Sequence, residues 1–228
     1  MSSSQPRALT AKQERRLIMY LDMQFLDISR AFKKRATGNS TLPTLDSYLS
    51  AVRPLMSIIL LIPPIDPSTA LRTELLLKLT GDALDAVTSY PPTSEALPLL
   101  RSWLDELDKG WVAVLEAQLW DPETGKGKDV AQALPNMLFS PTVETMNLDI
   151  PPGTPIYSST PVSQTESTRL SSLLEAACDS IEEWLETIGE QEHFRDVFFR
   201  RTFKILEPRT PVWRAHPQQS QIPVVAAT

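Results

Sequence analysis

The sequence predicts an all-α fold: an antiparallel bundle of five to seven helices, with a Pro/Ser/Thr-rich linker before the last two. Three observations carry that expectation. First, apolar residues recur at three- and four-residue steps in three places. These are Ile18, Leu21, Phe25, Ile28 and Phe32; Leu100, Leu104, Leu107, Trp111 and Val114; and Leu170, Leu174, Ala177, Ile181, Trp184 and Ile188. Such spacing keeps one stripe of a helix apolar. Second, glycine is scarce, at 7 residues in 228, which suits long helices better than a succession of tight turns. Third, the 20 prolines fall mostly between the periodic stretches or in one segment, where they separate helices instead of breaking them. The seams are too short, and too interrupted by Pro pairs, for one long coiled coil. They read as internal ribs of a bundle.

The elements follow in order. Residues 1–9 read as a disordered N-terminus and residues 10–138 as the main bundle. The first helix runs from about Thr10 to Thr37. Thr10 and Gln13 match a capping box, Lys33, Lys34 and Arg35 crowd the last turn where cations suit the dipole, and Gly38 follows as a stop. The second helix spans about Thr44 to Leu61, with Pro54 expected to kink or split it. Pro63 and Pro64 end it. The third opens with Asp66 as N-cap and Pro67 at the first helical position. Leu71, Leu75, Leu76, Leu79, Ala83, Val87 and Tyr90 mark its buried side, and Pro91 and Pro92 end it. The fourth begins near Thr93–Glu95 and reaches about Leu119. Asp121-Pro122-Glu123-Thr124-Gly125 is a turn, and a short helix is expected over Val130–Leu138.

Residues 139–163 are rich in Pro, Ser and Thr and read as a linker. Ser163 and Glu166 form a second capping box and open the fifth helix, which ends at Gly189. The sixth covers about Gln191–Leu206, and residues 208–228 read as a disordered tail. Residues 164–207 are expected to pack back on the bundle, the fifth helix lying against the first or the fourth with its acidic face near basic groups.

Composition narrows the function. Apolar residues make up 42% of the chain, enough for a sizeable core. The single cysteine, Cys178, leaves no intramolecular disulfide and no Cys-based zinc cluster. Residues 1–16 are polar and basic, and no apolar h-region is read there. An intracellular, eukaryotic protein of the nucleus or cytoplasm is the expectation. The net charge of −6 is unevenly placed. Residues 1–36 carry 8 basic and 3 acidic side chains, residues 37–192 carry 8 and 23, and residues 193–228 carry 6 and 2. An acidic middle argues against nucleic acid as a partner.

The inventory for chemistry is poor. His193 and His216 are the only histidines. Cys178 lies beside the fifth-helix seam and reads as a small buried hydrophobe. Asp105 and Asp108, and Glu182, Glu186 and Glu190, stand at helical spacing and could ligate Mg²⁺ if a second helix supplied partners. A solvated charged face is the plainer reading. Gly125-Lys126-Gly127-Lys128 lacks the spacing of a phosphate loop. No cofactor is expected. The basic clusters Arg30, Lys33, Lys34 and Arg35, and Arg195, Arg200, Arg201 and Lys204, suit a polyanion or, more simply, the seven carboxylates of residues 170–192. Ser140, Thr154, Thr160 and Thr210 each precede Pro and are minimal sites for proline-directed kinases.

Residues 45–119 resemble the helical-bundle region of the fungal nuclear-proteasome tethering proteins. The matching elements are Tyr48 and Arg53-Pro54-Leu55 in one helix, then Pro63-Pro64, then Ser68-Thr69-Ala70-Leu71. Tyr90-Pro91 closes the following helix, and Lys109-Gly110-Trp111 lies in the next. The resemblance implies a tether at the nuclear envelope that holds proteasomes through a lysine-rich N-terminus. Here the N-terminal segment carries only Lys12, Lys33 and Lys34, and residues 120–228 have no counterpart.

The expected function is a non-enzymatic helical interaction protein, an adaptor or subunit of an intracellular assembly. Ile18, Leu21, Phe25, Ile28, Phe32, Ile181, Trp184 and Ile188 form the candidate partner seam. The expected partners are proteins, with self-association also open. A membrane-surface or nuclear-envelope tether acting through Ser57–Ile62 is the alternative. A helical-bundle enzyme with a carboxylate metal site is the third reading.

Overall fold

The computed structural model describes residues 7–130, 138–140, 156–189 and 198–207. Six α-helices are present among them: α1 (Ala11–Lys33), α2 (Leu45–Leu60), α3 (Ser68–Val87), α4 (Leu97–Leu115), α5 (Gln164–Glu186) and α6 (Arg200–Leu206). The all-α bundle is the observed architecture. Two small ribbons accompany it. β1 (Leu119–Asp121) pairs antiparallel with β2 (Lys126–Lys128), and β3 (Leu138–Ser140) pairs parallel with β4 (Ile156–Ser158).

Local chemistry sets the helix ends. Thr10 with Gln13, Thr44 with Ser47 and Ser163 with Glu166 each form a reciprocal capping box, satisfying amides that the first turn would leave orphaned. α1 tightens into a 3-10 turn at Arg35–Thr37 and stops at Gly38, whose φ is 74°. α2 runs through Pro54 as one helix. The carbonyl that proline leaves without a donor belongs to Ser50, and both residues face solvent. α3 starts at Ser68, after a cis Asp66–Pro67 bond. Asp66 is therefore not its N-cap, although its carboxylate accepts the Thr69 hydroxyl at 2.8 Å. α4 stops short of the expected Leu119 because Ala117 turns to φ 52° and starts the β1–β2 hairpin. Of the short helix expected over Val130–Leu138, residues 131–137 lie outside the described residues, and Leu138 belongs to β3. Of the sixth helix expected over Gln191–Leu206, residues 191–197 lie outside the described residues, and the described part begins at Arg200. Phe199 adopts φ 57°, and the backbone turns there to bury Phe198 and Phe199.

α3 is the central helix, packed by α2, α4 and α5. Leu75, Leu76, Leu77 and Leu79 are all buried, so this helix is apolar on more than one side, as a core helix must be. α2 and α4 approach closely at Gly110, where a Cβ would stand 3.0 Å from the Leu60 side chain. α5 departs from expectation: its main neighbours are α3 and α6, not α1 or α4. Leu173 lies over Gly81 of α3, and Trp184 donates its indole N–H to the Tyr90 carbonyl at 2.8 Å.

The charge pairing also falls elsewhere than expected. Asp108, only 4% exposed, accepts from the Thr202 amide at 3.0 Å and the Thr202 hydroxyl at 2.6 Å. Arg201 adds a bond to Asp108 at 3.1 Å and one to Asp105 at 2.9 Å. Basic α6 is thus latched to α4. Burial works to raise the Asp105 carboxyl, but the donors Lys109 and Arg201 outweigh it and hold the pKa below the usual range. Asp108→Ala is expected to destabilise the fold by about 2–3 kcal/mol, because it strands a buried amide and hydroxyl. Asp105→Ala, at a half-exposed pair, should cost under about 1 kcal/mol. Urea denaturation midpoints of the two variants test this difference; equal losses would contradict it.

Arg72 of α3 is a buried cation that pairs with no carboxylate among the described residues. It is 1% exposed, donates to the Gln118 carbonyl at 2.7 Å, and leaves Nε and Nη2 without acceptors. Burial lowers its pKa to about 10. That shift corresponds to about 3 kcal/mol of desolvation carried by the folded state. Arg72→Met keeps the apolar stem and removes the charge, so the variant is expected to be more stable by about 1 kcal/mol or more. A lower thermal midpoint than the wild-type chain would contradict this account.

Candidate docking surface

α1 lies on the outside of the bundle. Its 23 residues include only two that are buried, Leu21 and Phe25. Leu17, Ile28 and Phe32 pack partly against the core on the same side. The helix is attached through this inner stripe, and its main helical neighbour is α2.

A second apolar stripe faces solvent. Met19 is 64% exposed, Met23 54% and Leu26 48%, with Tyr20 beside them. Steps of four and three residues place these on one side of the helix. By the same periodicity Lys12, Arg16 and Arg30, all exposed, extend that face at its two ends. Asp27 sits among them, 3.7 Å from Arg30. A contiguous exposed apolar face rimmed by charges is the usual mark of an interaction site.

Beside α1 runs a groove of about 520 Å³, bounded by α1, α2 and α3. Phe25, Phe32, Val52 and Leu79 supply apolar lining, and Asp22, Lys33, Lys78, Asp82 and Asp85 are the charged residues around it. Lys78 crosses this space. Its ammonium stands 4.8 Å from the centre of the Phe25 ring and 2.7 Å from Asp82. At the deep end Tyr48 donates its hydroxyl to the Asp82 carbonyl at 3.1 Å. Burial first, then the Asp82 charge, Tyr90 and the Asp85 charge, push the Tyr48 phenol well above its ordinary value, so it stays a protonated donor.

The residues singled out from sequence divide accordingly. Leu21, Phe25, Ile28 and Phe32 are used inward, and Ile18 is the one member of that seam that is exposed. Ile181 and Trp184 are buried and Ile188 packs partly on the core. The α5 half of the expected partner seam is therefore filled by the chain itself, because α3 and α6 cover it. The outer stripe of α1 went unread, although Met19, Met23 and Leu26 carry the same spacing one face over. Ser57–Ile62, expected to face a membrane, is mostly core: Ile59, Leu60 and Ile62 are buried and Leu61 is exposed. No helix among the described residues is long and apolar enough to cross a membrane.

The chemical candidates are likewise placed. Asp105 and Asp108 are occupied by Arg201, Lys109 and Thr202. Glu182 and Glu186 lie on α5, while Glu190, His193, Arg195 and His216 lie outside the described residues. Among the described residues no group of three or more His, Cys, Asp or Glu side chains stands close enough to hold a metal ion. Cys178 is buried. Lys126–Lys128 is a hairpin strand, with Lys128 tied to Asp121 at 2.7 Å. Thr154 and Thr210 lie outside the described residues, and Ser140 ends β3.

Thr160 is part of a clasp. The Asp66 carboxylate accepts from the Thr160 amide at 3.1 Å, the Thr160 hydroxyl at 2.9 Å and the Ser158 hydroxyl at 3.0 Å. The Asp66 amide in turn donates to the Ser158 carbonyl at 3.0 Å. Burial pushes the Asp66 carboxyl up, but these donors together with Thr69 prevail and lower it below its ordinary value. A depressed folded-state pKa means stability that is present above the ordinary carboxylate range and lost as pH falls through the folded value. The stability gap between the wild-type chain and Asp66→Asn, measured by urea denaturation, is therefore expected at pH 7 and should close below about pH 4. A gap that persists unchanged into acid would contradict the clasp.

Comparisons with protein-family models, curated proteins and solved structures find no match to this chain.

Proposed function

We propose that this chain is a non-enzymatic helical interaction protein, an adaptor or subunit of an intracellular assembly, and that its docking surface is the outer face of α1 with the adjoining groove. The observation that carries the reading is the division of α1: an inner stripe holds the helix to the bundle, and an outer stripe of Met19, Tyr20, Met23 and Leu26 is left open. The occupant that fits is an amphipathic helix of a partner protein, laid along α1 with an apolar side chain in the groove. Methionine suits such a surface because its unbranched chain repacks around different shapes. The use of Asp105 and Asp108 as latch residues supports a structural over a catalytic role for the best carboxylate pair.

A membrane-surface tether, the kind of role the nuclear-envelope resemblance implies, would use the same face of α1. The basic residues at its two ends favour anionic headgroups, while Asp27 within the face opposes them. The protein reading is therefore preferred.

Met19→Glu with Met23→Glu tests the proposal. The pair is expected to leave the thermal midpoint unchanged, since neither side chain is buried. It should abolish binding of the purified partner that affinity capture and mass spectrometry identify for the wild-type chain. Retained binding with an intact fold would reject α1 as the docking face. Flotation with phosphatidylserine vesicles at two salt concentrations separates the membrane reading.

A further inference from the structure

Thr160 combines three properties. It is exposed, it precedes Pro161, and its hydroxyl is bonded to a carboxylate 94 residues earlier. The clasp it belongs to joins the segment entering α5 to the turn between α2 and α3. Ser158 and Thr160 both reach Asp66, and Ser159 between them is buried.

We propose that Thr160 is a phosphoacceptor for a proline-directed protein kinase, and that its phosphorylation opens the Asp66 clasp. The step is an ordinary phosphoryl transfer from a nucleoside triphosphate. A bond forms between Thr160 Oγ1 and the γ-phosphorus, and the bond from that phosphorus to the β–γ bridging oxygen breaks. The nucleoside diphosphate departs, and the hydroxyl proton passes to the kinase's base.

The consequence follows from the geometry. Phosphorylated Oγ1 has no proton to donate, so the 2.9 Å bond to Asp66 is lost. In its place stands a group carrying about −1.5 to −2 charges, next to a carboxylate that accepts three further bonds. The neighbouring cavity, about 390 Å³, is lined by Asp66 and Glu166. Among the described residues, no lysine or arginine lines this cavity to compensate the added charge. The N-termini of α3 and α5 are the local groups that favour an anion; the Asp66 carboxylate stands at the first through the Thr69 hydroxyl, and Ser163 with Glu166 caps the second. Ser163 and Glu166 cap α5 by themselves, and Leu170 and Leu174 remain in the core. Opening is therefore confined to the segment before α5.

The full-length folded chain, treated with a recombinant proline-directed kinase, MgATP and phosphosite mapping by mass spectrometry, tests both halves. A parallel reaction on the urea-unfolded and diluted chain reports what the kinase accepts without the fold. The expected result is phosphate on Thr160 of the folded chain, with hydrogen exchange about tenfold faster or more at the Asp66 and Thr160 amides and unchanged exchange in α5. Thr160→Val, treated identically, should show no kinase-dependent change at Asp66. Phosphate on Ser140, Thr154 or Thr210 but not on Thr160 would overturn the assignment. So would modification of Thr160 in the unfolded chain alone, or of Thr160 in neither. Phosphate on Thr160 with unchanged or slower exchange, as capture by the α3 N-terminus would give, would overturn the opening.

Discussion

The arrangement of helices depends on Tyr90, just past the end of α3. Its ring meets Phe32 of α1 and Tyr48 of α2, with centroids 5.7 and 5.9 Å away. Its hydroxyl donates to the Leu42 carbonyl at 3.1 Å, and its own carbonyl accepts the Trp184 indole of α5. One residue thus fixes α1, the approach to α2, α2 and α5 relative to α3. Burial raises its phenol pKa despite the nearby Arg35, which keeps the hydroxyl a donor. Both of its polar ends find partners inside the fold, as a buried tyrosine requires. Pro91 and Pro92 follow immediately and prevent α3 from continuing, so the junction is set by covalent structure as well as by packing.

α1 is held from that junction at one end and by polar contacts at the other. Arg35 lies 4.0 Å over the Phe32 ring and donates to the Phe32 and Ser89 carbonyls. At the far end Ser68 donates to Glu14 at 3.0 Å and accepts from the Leu9 amide at 2.9 Å. With both ends pinned and Leu21 and Phe25 anchoring the middle, the helix needs nothing from its outer face. That face is therefore free to carry residues chosen for something other than stability, and it carries methionines, a tyrosine and a leucine between basic ends.

Much of this was legible in the sequence wherever a local rule decided the outcome. Two capping boxes, the αL stop at Gly38, the Pro pairs and the three apolar seams all depend on neighbours within a few residues. What stayed illegible depended on distant partners. Asp66 reads as an N-cap because the nearest amides belong to α3, but its strongest claimants lie at residues 158 and 160. Asp105 and Asp108 read as a solvated pair, but Arg201 and Thr202 reach them across more than ninety residues. The outer stripe of α1 is hard to read for a related reason. Two apolar stripes share α1, and spacing alone does not say which one turns inward; the volume left by α2 and α3 decides. The α5 seam carries the same spacing, but α3 and α6 cover it.

The groove follows from the same choice. α1 packs mainly on α2 and only lightly on α3, so space remains between α1 and α3 above Val52. A tighter approach would bury Phe25 and Phe32 more fully, but it would also have to displace Lys78, whose stem bridges the space and whose ammonium pairs with Asp82. Stripping that ammonium of water without a better partner costs more than the extra apolar contact returns. The chain therefore stops short of closing its own cleft. What it leaves is an apolar floor with charged edges, continuous with the exposed stripe of α1. The partner helix proposed above would cover that floor while leaving the Lys78–Asp82 pair at the wet edge.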